Sequence, residues 1–432
     1  MLRWHNRPKM NTARQHLLTL IYRFIVAPLG LLAALFLSPF LSKLRATLSL
    51  RRQPIDWPRW IGNEPTLWIH CASGEFEYAK SIVREWRRIR PDHRIFVSYY
   101  SPTYRQAIEN TPEVDFSAPL PLDLPGPLAQ FIKRLEPLQL AIARTDLWPE
   151  LCAQARRQNI PISLFSATSR PLKWWETLAK PVIRWRLELV DRILAVSEDD
   201  FRGFQQIGVR VPIQSIGDSR YDQVFHRLDH SKNLKVKLHK NSTPILVAGS
   251  SWSEDEEVLL SATAELVKTG RLRLILVPHE PTSHHIDTLK KEIQKWNFKP
   301  QIYSETLTWD GEVLLVDQVG ILAELYTWGD LAFVGGSFKK SVHSVMEPLA
   351  CGLPTLVGPH HHNNREAIQF QKHPLGKNLT IVTSANNSIE LQTKIEQILK
   401  TDPRTLKEKI RAKIQEQKGA ATQIAHRLLE PL

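Results

Sequence analysis

The chain is poor in cysteine. Cys71, Cys152 and Cys351 are the only three in 432 residues, far apart and without metal-ligand spacing. That excludes a disulfide framework and a cysteine-based zinc site, and fits a reducing compartment. Acidic residues are nearly missing from one end: residues 1–60 hold ten Lys or Arg against Asp56 alone, which is +9 of the net +13. A nucleic-acid binder would carry its basic stripe on the folded body, so this placement argues against nucleic acid and for a membrane surface or phosphorylated lipid. The chain has no internal repeat and no low-complexity tract. A hydrophobic content of 42% with 23% charged residues excludes global disorder.

Inside the basic end lies an apolar run, residues 24–41, "FIVAPLGLLAALFLSPFL". Its 18 uncharged residues are barely enough for a spanning helix. Pro28, Gly30 and Pro39 disfavour an uninterrupted span. No small-x-small cleavage site precedes Lys43, which argues against a cleaved signal peptide. Arg3, Arg7, Lys9, Arg14 and Arg23 lie before the run and Lys43, Arg45, Arg51 and Arg52 after it, so the charge bias that orients a span is absent. The favoured reading is a segment dipping into the cytoplasmic leaflet, with a true span and a buried soluble helix as alternatives.

Beyond residue 60, short Val/Ile/Leu runs alternate with helical patterns. Strands are expected at 66–70, 95–99, 138–143, 162–165 and 193–196, then at 245–248, 272–277, 313–316, 331–334 and 355–357. They are continuous apolar runs, as a parallel sheet covered on both faces requires. The polar, basic stretch Gly217–Pro244 reads as a hinge. The fold class is therefore α/β, two doubly wound domains facing a cleft. The boundaries are 1–50 for an N-terminal anchor, 51–220 for a first domain and 221–432 for a second. Ligands of such sheets bind beyond the carboxyl ends of the strands.

Those ends carry the candidate chemistry. In "TLWIHCASGEFEYAK", Glu75 follows a strand and opens an amphipathic helix, after the small residues Ser73 and Gly74. It is either an acid favourable to the helix dipole or a general base. "ILVAGSSWSEDEEVLL" has the same plan. Ser250 or Ser251 would cap its helix, and Glu254 to Glu257 would stabilise it. "LILVPHEPTSHH" presents Pro278, His279 and Glu280 at a strand end, with His284 and His285 expected in solvent; the runs His284–His285 and His360–His362 lack the carboxylate or cysteine partners of a metal site. In "DLAFVGGSFKKSVHSVMEPLACGLPTLVGP", Gly335-Gly336-Ser337 offers backbone N–H groups to phosphate. Lys339 and Lys340 add charge, and Glu347 can accept ribose hydroxyls. Gly320 and Ile321 open a helix within "DQVGILAELYTWGD".

With these motifs in hand, the chain resembles the 3-deoxy-D-manno-oct-2-ulosonic acid (Kdo) transferases, GT-B glycosyltransferases of lipopolysaccharide assembly. The likeness runs from the apolar N-terminus to about residue 370. "WIHCASGEFE", "PLPLDLPGPLAQFI", "ARTDLWPEL", "GDSRYD", "DQVGILAELY", "FVGGS" and "EPLACGLPTLVGP" follow the family's order. The resemblance implies inverting transfer of Kdo from CMP-Kdo to a lipid A precursor such as lipid IVA, at the cytoplasmic face of the inner membrane, without cofactor or metal. Glu75 matches the family's general base, with Ser73, Gly74 and Asp146 on the acceptor side. Pro278, His279, Gly320, Ile321, Ser337, His343 and Glu347 match the CMP side. The first domain would bind acceptor and the second donor.

The sequence also departs from the family. The turn before Glu75 is one residue shorter, and Asp146 stands for a Glu. Ser341-Val342-His343-Ser344 replaces Gly-Gly-His-Asn. Pro278-His279-Glu280 replaces Pro-Arg-His, so Lys339 or Lys340 is expected to supply the missing phosphate charge. Two alternatives stay open: a GT-B enzyme using a UDP-sugar, and a degenerate nucleotide-sugar-binding scaffold.

Overall fold

The computed structural model describes residues 13–231, 233–239, 242–376 and 378–431. Arg3, Arg7 and Lys9 of the basic flank lie outside the described residues. The chain divides into two compact units, residues 1–223 with 418–432, and residues 224–417.

The first unit is built on a seven-stranded parallel sheet: β1 (Thr66–Cys71), β2 (Arg94–Tyr99), β3 (Phe116–Pro119), β4 (Gln139–Ala143), β5 (Ile162–Ala167), β6 (Arg192–Ala195) and β7 (Ile213–Ser215). Their order is β3-β2-β1-β4-β5-β6-β7. Successive side chains alternate between faces, and both faces are apolar here. From β1, Leu67, Ile69 and Cys71 enter one core layer while Trp68 enters the other. The helix Phe76–Ile89 buries Phe76, Ala79, Ile82, Val83 and Trp86, a stripe at helical spacing.

The second unit repeats the plan with β8 (Ile245–Ser251), β9 (Arg273–Pro278), β10 (Gln301–Ile302), β11 (Val313–Leu315), β12 (Leu331–Val334), β13 (Thr355–Val357) and β14 (Val382–Ser384). Their order is β10-β11-β9-β8-β12-β13-β14, again parallel throughout. Leu246 and Ala248 of β8 face one layer and Ile245 and Val247 the other.

All ten expected strands are present within a residue or two at most ends. Within these two sheets, sequence patterning misses four strands, β3, β7, β10 and β14, with sequences FSAP, IQS, QI and VTS. They lie at the sheet edges, where one side lacks a partner and an apolar run is not needed. The stretch expected as a hinge holds the helix Ser219–Asp229, and the unit boundary falls inside it. The final helix, Ala420–Leu429, belongs to the first unit. Asp222 accepts the N–H groups of Gly419 (2.7 Å) and Ala421 (2.8 Å), and Gln139 donates to the Leu428 carbonyl at 2.7 Å.

At the N-terminus, Ala13–Leu37 is one helical run, long and apolar enough by length and composition to cross a membrane. Pro28 does not break it. A π-helical turn at Tyr22–Val26 precedes the proline and widens the coil where the hydrogen-bond ladder must adjust, and the helix resumes at Ala27 and ends at Leu37. One face of its first half is bound to the first unit. Gln15 donates to Glu188 (2.7 Å), Thr19 accepts from Trp185 (3.3 Å), Tyr22 donates to Asp123 (2.7 Å), and Arg23 grips Glu150 with two bonds of 2.8 and 2.9 Å.

Candidate active site

Glu75 stands just past the end of β1 as the N-cap residue of the helix Phe76–Ile89, in right-handed conformation (φ −59°, ψ −17°). The N-cap position leaves the carboxylate outside the helical cylinder and within reach of its own turn. Its Oε2 accepts the Ser73 N–H at 2.9 Å. Among the described residues Oε1 carries no hydrogen bond or ion pair, and the side chain is half-buried. Gly74 lies beside Tyr104, whose hydroxyl would be 3.5 Å from a Cβ at that position. Burial, and then the charges of Glu77 and Glu75, push the Tyr104 phenol above its ordinary pKa.

Asp146 follows β4 on the same carboxyl edge. Its Oδ2 accepts the Trp148 indole N–H at 3.1 Å and lies 3.6 Å from His70 Nε2, too long for a hydrogen bond. Burial works to raise the Asp146 pKa, but His70, Trp148 and Arg186 outweigh it and hold the carboxyl below its ordinary value. The fully buried Cys71 thiol is pushed well up by burial and then by the charges of Glu75 and Asp146, so both carboxylates bear on one point at the end of β1. The structure thus brings Ser73, Gly74, Glu75 and Asp146 together.

Sequence reasoning missed their surroundings. His70 is fully buried, its Nδ1 2.9 Å from Ser98 Oγ, which also accepts the Trp68 indole N–H at 2.8 Å. Arg144, directly after β4, adopts φ +60°, a strained conformation for a side-chain-bearing residue, and lies over Tyr78 at 5.1 Å. Its place two residues before Asp146 is the only signal that pointed to it.

On the second unit the candidates fall into two groups. At the ends of β8, β9 and β12, His279 stacks on His343 (4.2 Å, 19°) and sits 4.9 Å from Trp252. Trp252 donates its indole N–H to His343 Nε2 at 3.1 Å, and Lys339 Nζ rests 3.3 Å above the Trp252 ring. Burial, then His279, lowers the His343 pKa, in keeping with an Nε2 that must stay unprotonated to accept. Pro278 is buried at the end of β9, whereas His279, Lys339 and Lys340 are exposed. Lys340 lacks the ring contact.

The second group joins Glu347, Gly320 and Ile321. Gly320 has φ +85° and Ile321 caps the helix Leu322–Tyr326. Arg227, which sequence reasoning also missed, donates to Glu347 at 2.9 Å and to the Gly320 carbonyl at 3.4 Å. The carboxylate expected to meet ribose is therefore held by an arginine.

Three expectations need correction. The turn Gly335-Gly336-Ser337 is not an open phosphate cradle. Asp255 accepts the N–H groups of Gly336 (2.7 Å), Phe338 (2.9 Å) and Trp252 (3.0 Å). Ser337 is fully buried, donating to the Val334 carbonyl and accepting from Gly358 N–H. The glycines serve close packing, since a Cβ on Gly335 would fall 2.2 Å from the Ser250 carbonyl oxygen. Neither Ser250 nor Ser251 caps the helix Ser253–Lys268. Its N-cap is Trp252, and Ser251 donates to Glu256 instead. His285 is not free in solvent but paired with Glu256 at 2.9 Å. In the run His360–His362, His361 is buried between the Gly358 carbonyl (2.8 Å) and Gln371 (2.9 Å), a structural position. Among the described residues no group of three or more His, Cys, Asp or Glu could hold a metal ion.

A family model described as 3-Deoxy-D-manno-octulosonic-acid transferase (kdotransferase) matches residues 46–223. The 3-deoxy-D-manno-octulosonic acid transferase of Haemophilus influenzae is 30% identical over 322 residues, covering 70% of this chain and 73% of that one. Its counterpart in Aquifex aeolicus is 29% identical over 341 residues, covering 77% and 86%. Among solved structures, UDP-GlcNAc 2-epimerase from Neisseria meningitidis is similar with a TM-score of 0.60 at 13% identity, over 84% of this chain and 99% of that one. A glycosyltransferase from Rickettsia africae follows at 0.54 and 12%, over 86% and 100%. Those two likenesses concern the fold and agree with two Rossmann-like sheets of GT-B type. The sequence relatives go further: the chain belongs to the 3-deoxy-D-manno-octulosonic acid transferase family and is a glycosyltransferase.

Proposed function

We propose that this enzyme transfers Kdo from CMP-Kdo to a hydroxyl of a lipid A precursor, lipid IVA in the simplest case, with inversion and with Glu75 as general base. The acceptor oxygen attacks the anomeric carbon of Kdo, and the bond from that carbon to the CMP phosphate breaks. CMP leaves with the bonding pair, and the hydroxyl proton passes to Glu75. The observation that carries the reading is the half-held carboxylate: Oε2 is fixed by Ser73 N–H while Oε1 is left to accept a proton. An oriented carboxylate with one open oxygen is the form such a step needs, and general-base catalysis contributes about 10² to 10⁴ in rate.

In this reading the first unit binds acceptor, with Ser73 and Gly74 leaving room for the sugar and Asp146 beside it. The second unit binds CMP through Pro278, His279, Gly320, Ile321, His343 and Glu347. Lys339 supplies the phosphate charge that a missing arginine leaves open, because the Trp252 ring holds its ammonium near His279 and His343. Ser337 contributes by shaping the turn rather than by touching nucleotide.

The N-terminal helix supports a place at the membrane, which in this reading is the cytoplasmic face of the inner membrane. Its polar contacts hold residues up to Arg23 against the first unit, and the helical residues beyond them, 24–37, make no such contacts among the described residues. At 1.5 Å per residue these reach about 21 Å, less than the roughly 30 Å apolar core, which supports a segment dipping into one leaflet.

The test is purified protein with CMP-Kdo and a tetraacyl lipid A precursor, products weighed by mass spectrometry, with Glu75→Gln as control. The expected result is Kdo addition that the variant loses. Retained CMP binding without product, in wild type as in variant, would instead make the chain a nucleotide-sugar-binding scaffold, and competition by UDP rather than CMP would change the donor.

A further inference from the structure

After β5 the first unit exposes a second apolar surface. Trp174 is 79% exposed, Leu178 85%, Trp175 50% and Val182 42%. One exposed apolar residue needs no explanation, but four within nine residues, two of them tryptophan, form a patch that does. The patch is rigid. Glu176 takes two bonds from Arg170 and one from the Lys173 N–H (2.8 Å), the two indoles meet edge to face at 5.7 Å, and Lys173 Nζ lies 4.9 Å from the Trp175 ring.

Its charge is one-sided. Residues 168–187 hold Arg170, Lys173, Lys180, Arg184 and Arg186 against Glu176 alone, and Glu176 is engaged by Arg170. The helix Lys180–Leu187, which the patch leads into, is bonded to the N-terminal helix. Trp185 donates to Thr19 and its ring lies 6.3 Å from Tyr22. The patch therefore continues from the segment that leads to the apolar run at Phe24. It also follows β5 at the carboxyl edge of the sheet, the edge that carries Glu75 and Asp146.

We propose that residues 170–182 make a second contact with an anionic bilayer surface, separate from the N-terminal helix. Trp174, Trp175 and Leu178 enter the interface while Lys173 and Lys180 meet lipid phosphates. Indoles favour the boundary between headgroup and acyl chain, and basic side chains around them add attraction to anionic lipid. The proposal rests on the reading that the N-terminal helix dips into the membrane. Two contacts fix the orientation of the sheet edge to the bilayer; one helix leaves it free to swing. A lipid-borne acceptor would then meet Glu75 without having to leave the bilayer.

The experiment uses the full-length chain, labelled with a polarity-sensitive fluorophore at Trp174→Cys or, separately, at Phe36→Cys on the N-terminal helix. Cys71, Cys152 and Cys351 are buried, so the introduced thiol takes the label. Vesicles of phosphatidylethanolamine with phosphatidylglycerol should shift the label at 174 to the blue and let spin-labelled lipid quench it, and added salt should weaken that signal. A label at 174 that stays water-like while the one at 36 inserts overturns the proposal and leaves the membrane reading standing; failure of both labels overturns both. A shift that depends on protein concentration without vesicles would also overturn it, in favour of a second copy of the chain. As an independent arm, Trp174→Ser with Trp175→Ser and Leu178→Ser should raise the KM for vesicle-borne acceptor roughly ten-fold and leave turnover of detergent-dispersed acceptor unchanged. An equal loss on both acceptors would overturn it.

Discussion

Two turns of this protein follow one plan and end in opposite states. In the first unit β1 runs into Ser73-Gly74-Glu75, and in the second β8 ends in Ser250-Ser251 and runs into Trp252 and then Asp255. Each places a carboxylate where a helix starts behind a parallel strand. Glu75 keeps one oxygen open and accepts a single amide, whereas Asp255 is fully buried and accepts three. The difference comes from the neighbouring strand. β12 is followed by two glycines that let its turn come down onto Asp255, and the described residues place no such set of amides on Glu75. An acid at a helix start is thus left half-open or locked as a brace according to what the next loop does.

Substitutions at the two carboxylates put the comparison under strain. Glu75→Gln should lower kcat by roughly 10² to 10⁴ with the melting temperature unchanged. Asp255→Ala should do the reverse, costing about 2–5 kcal/mol of stability in denaturant titration because buried amides lose their acceptor. A variant of Asp255 that melts normally but does not turn over would erase the distinction.

Smaller effects sharpen it. Lys339→Ala should raise the KM for CMP-Kdo roughly ten-fold, as loss of one charge-assisted phosphate contact does, and Lys340→Ala should leave it nearly unchanged because it lacks the Trp252 ring. Equal KM values for both variants and wild type would remove lysine from the phosphate site.

The two units should also answer acid differently. The His343 pKa is lowered in the fold, so the unfolded imidazole, ordinarily 6.5, takes up its proton first. That contribution to stability is complete above about 6.5 and falls as pH drops below it. Asp146 has a lowered carboxyl pKa, so its contribution is present above the ordinary 3.8 and fades only below that. Thermal melts of His343→Gln should accordingly lose part of the wild-type slope just below pH 6.5, and Asp146→Asn should leave that slope in place.

Much of the fold was legible because a strand buried on both faces cannot be polar: "TLWIH" and "LILVP" admit few other readings. Edge strands such as IQS and VTS carry no such constraint and were invisible. The position of Glu75 between a strand and a helix was legible from the local pattern. Arg227 was not, because a single arginine in a polar helix looks like any solvated charge until Glu347 comes within 2.9 Å. Trp174 and Trp175 passed unnoticed for the converse reason. Sequence counts tryptophans as core, and only the packed unit shows which ones the core had no room for.

By itself the sequence determined two parallel-sheet units, a basic apolar N-terminus and an acid behind the first strand, since each rests on local periodicity or composition. Tertiary structure alone decided which backbone amides were already taken, which histidine had to stay neutral and which apolar side chains remained outside. Those outcomes depend on distances between residues tens to hundreds of positions apart, and no local pattern records them.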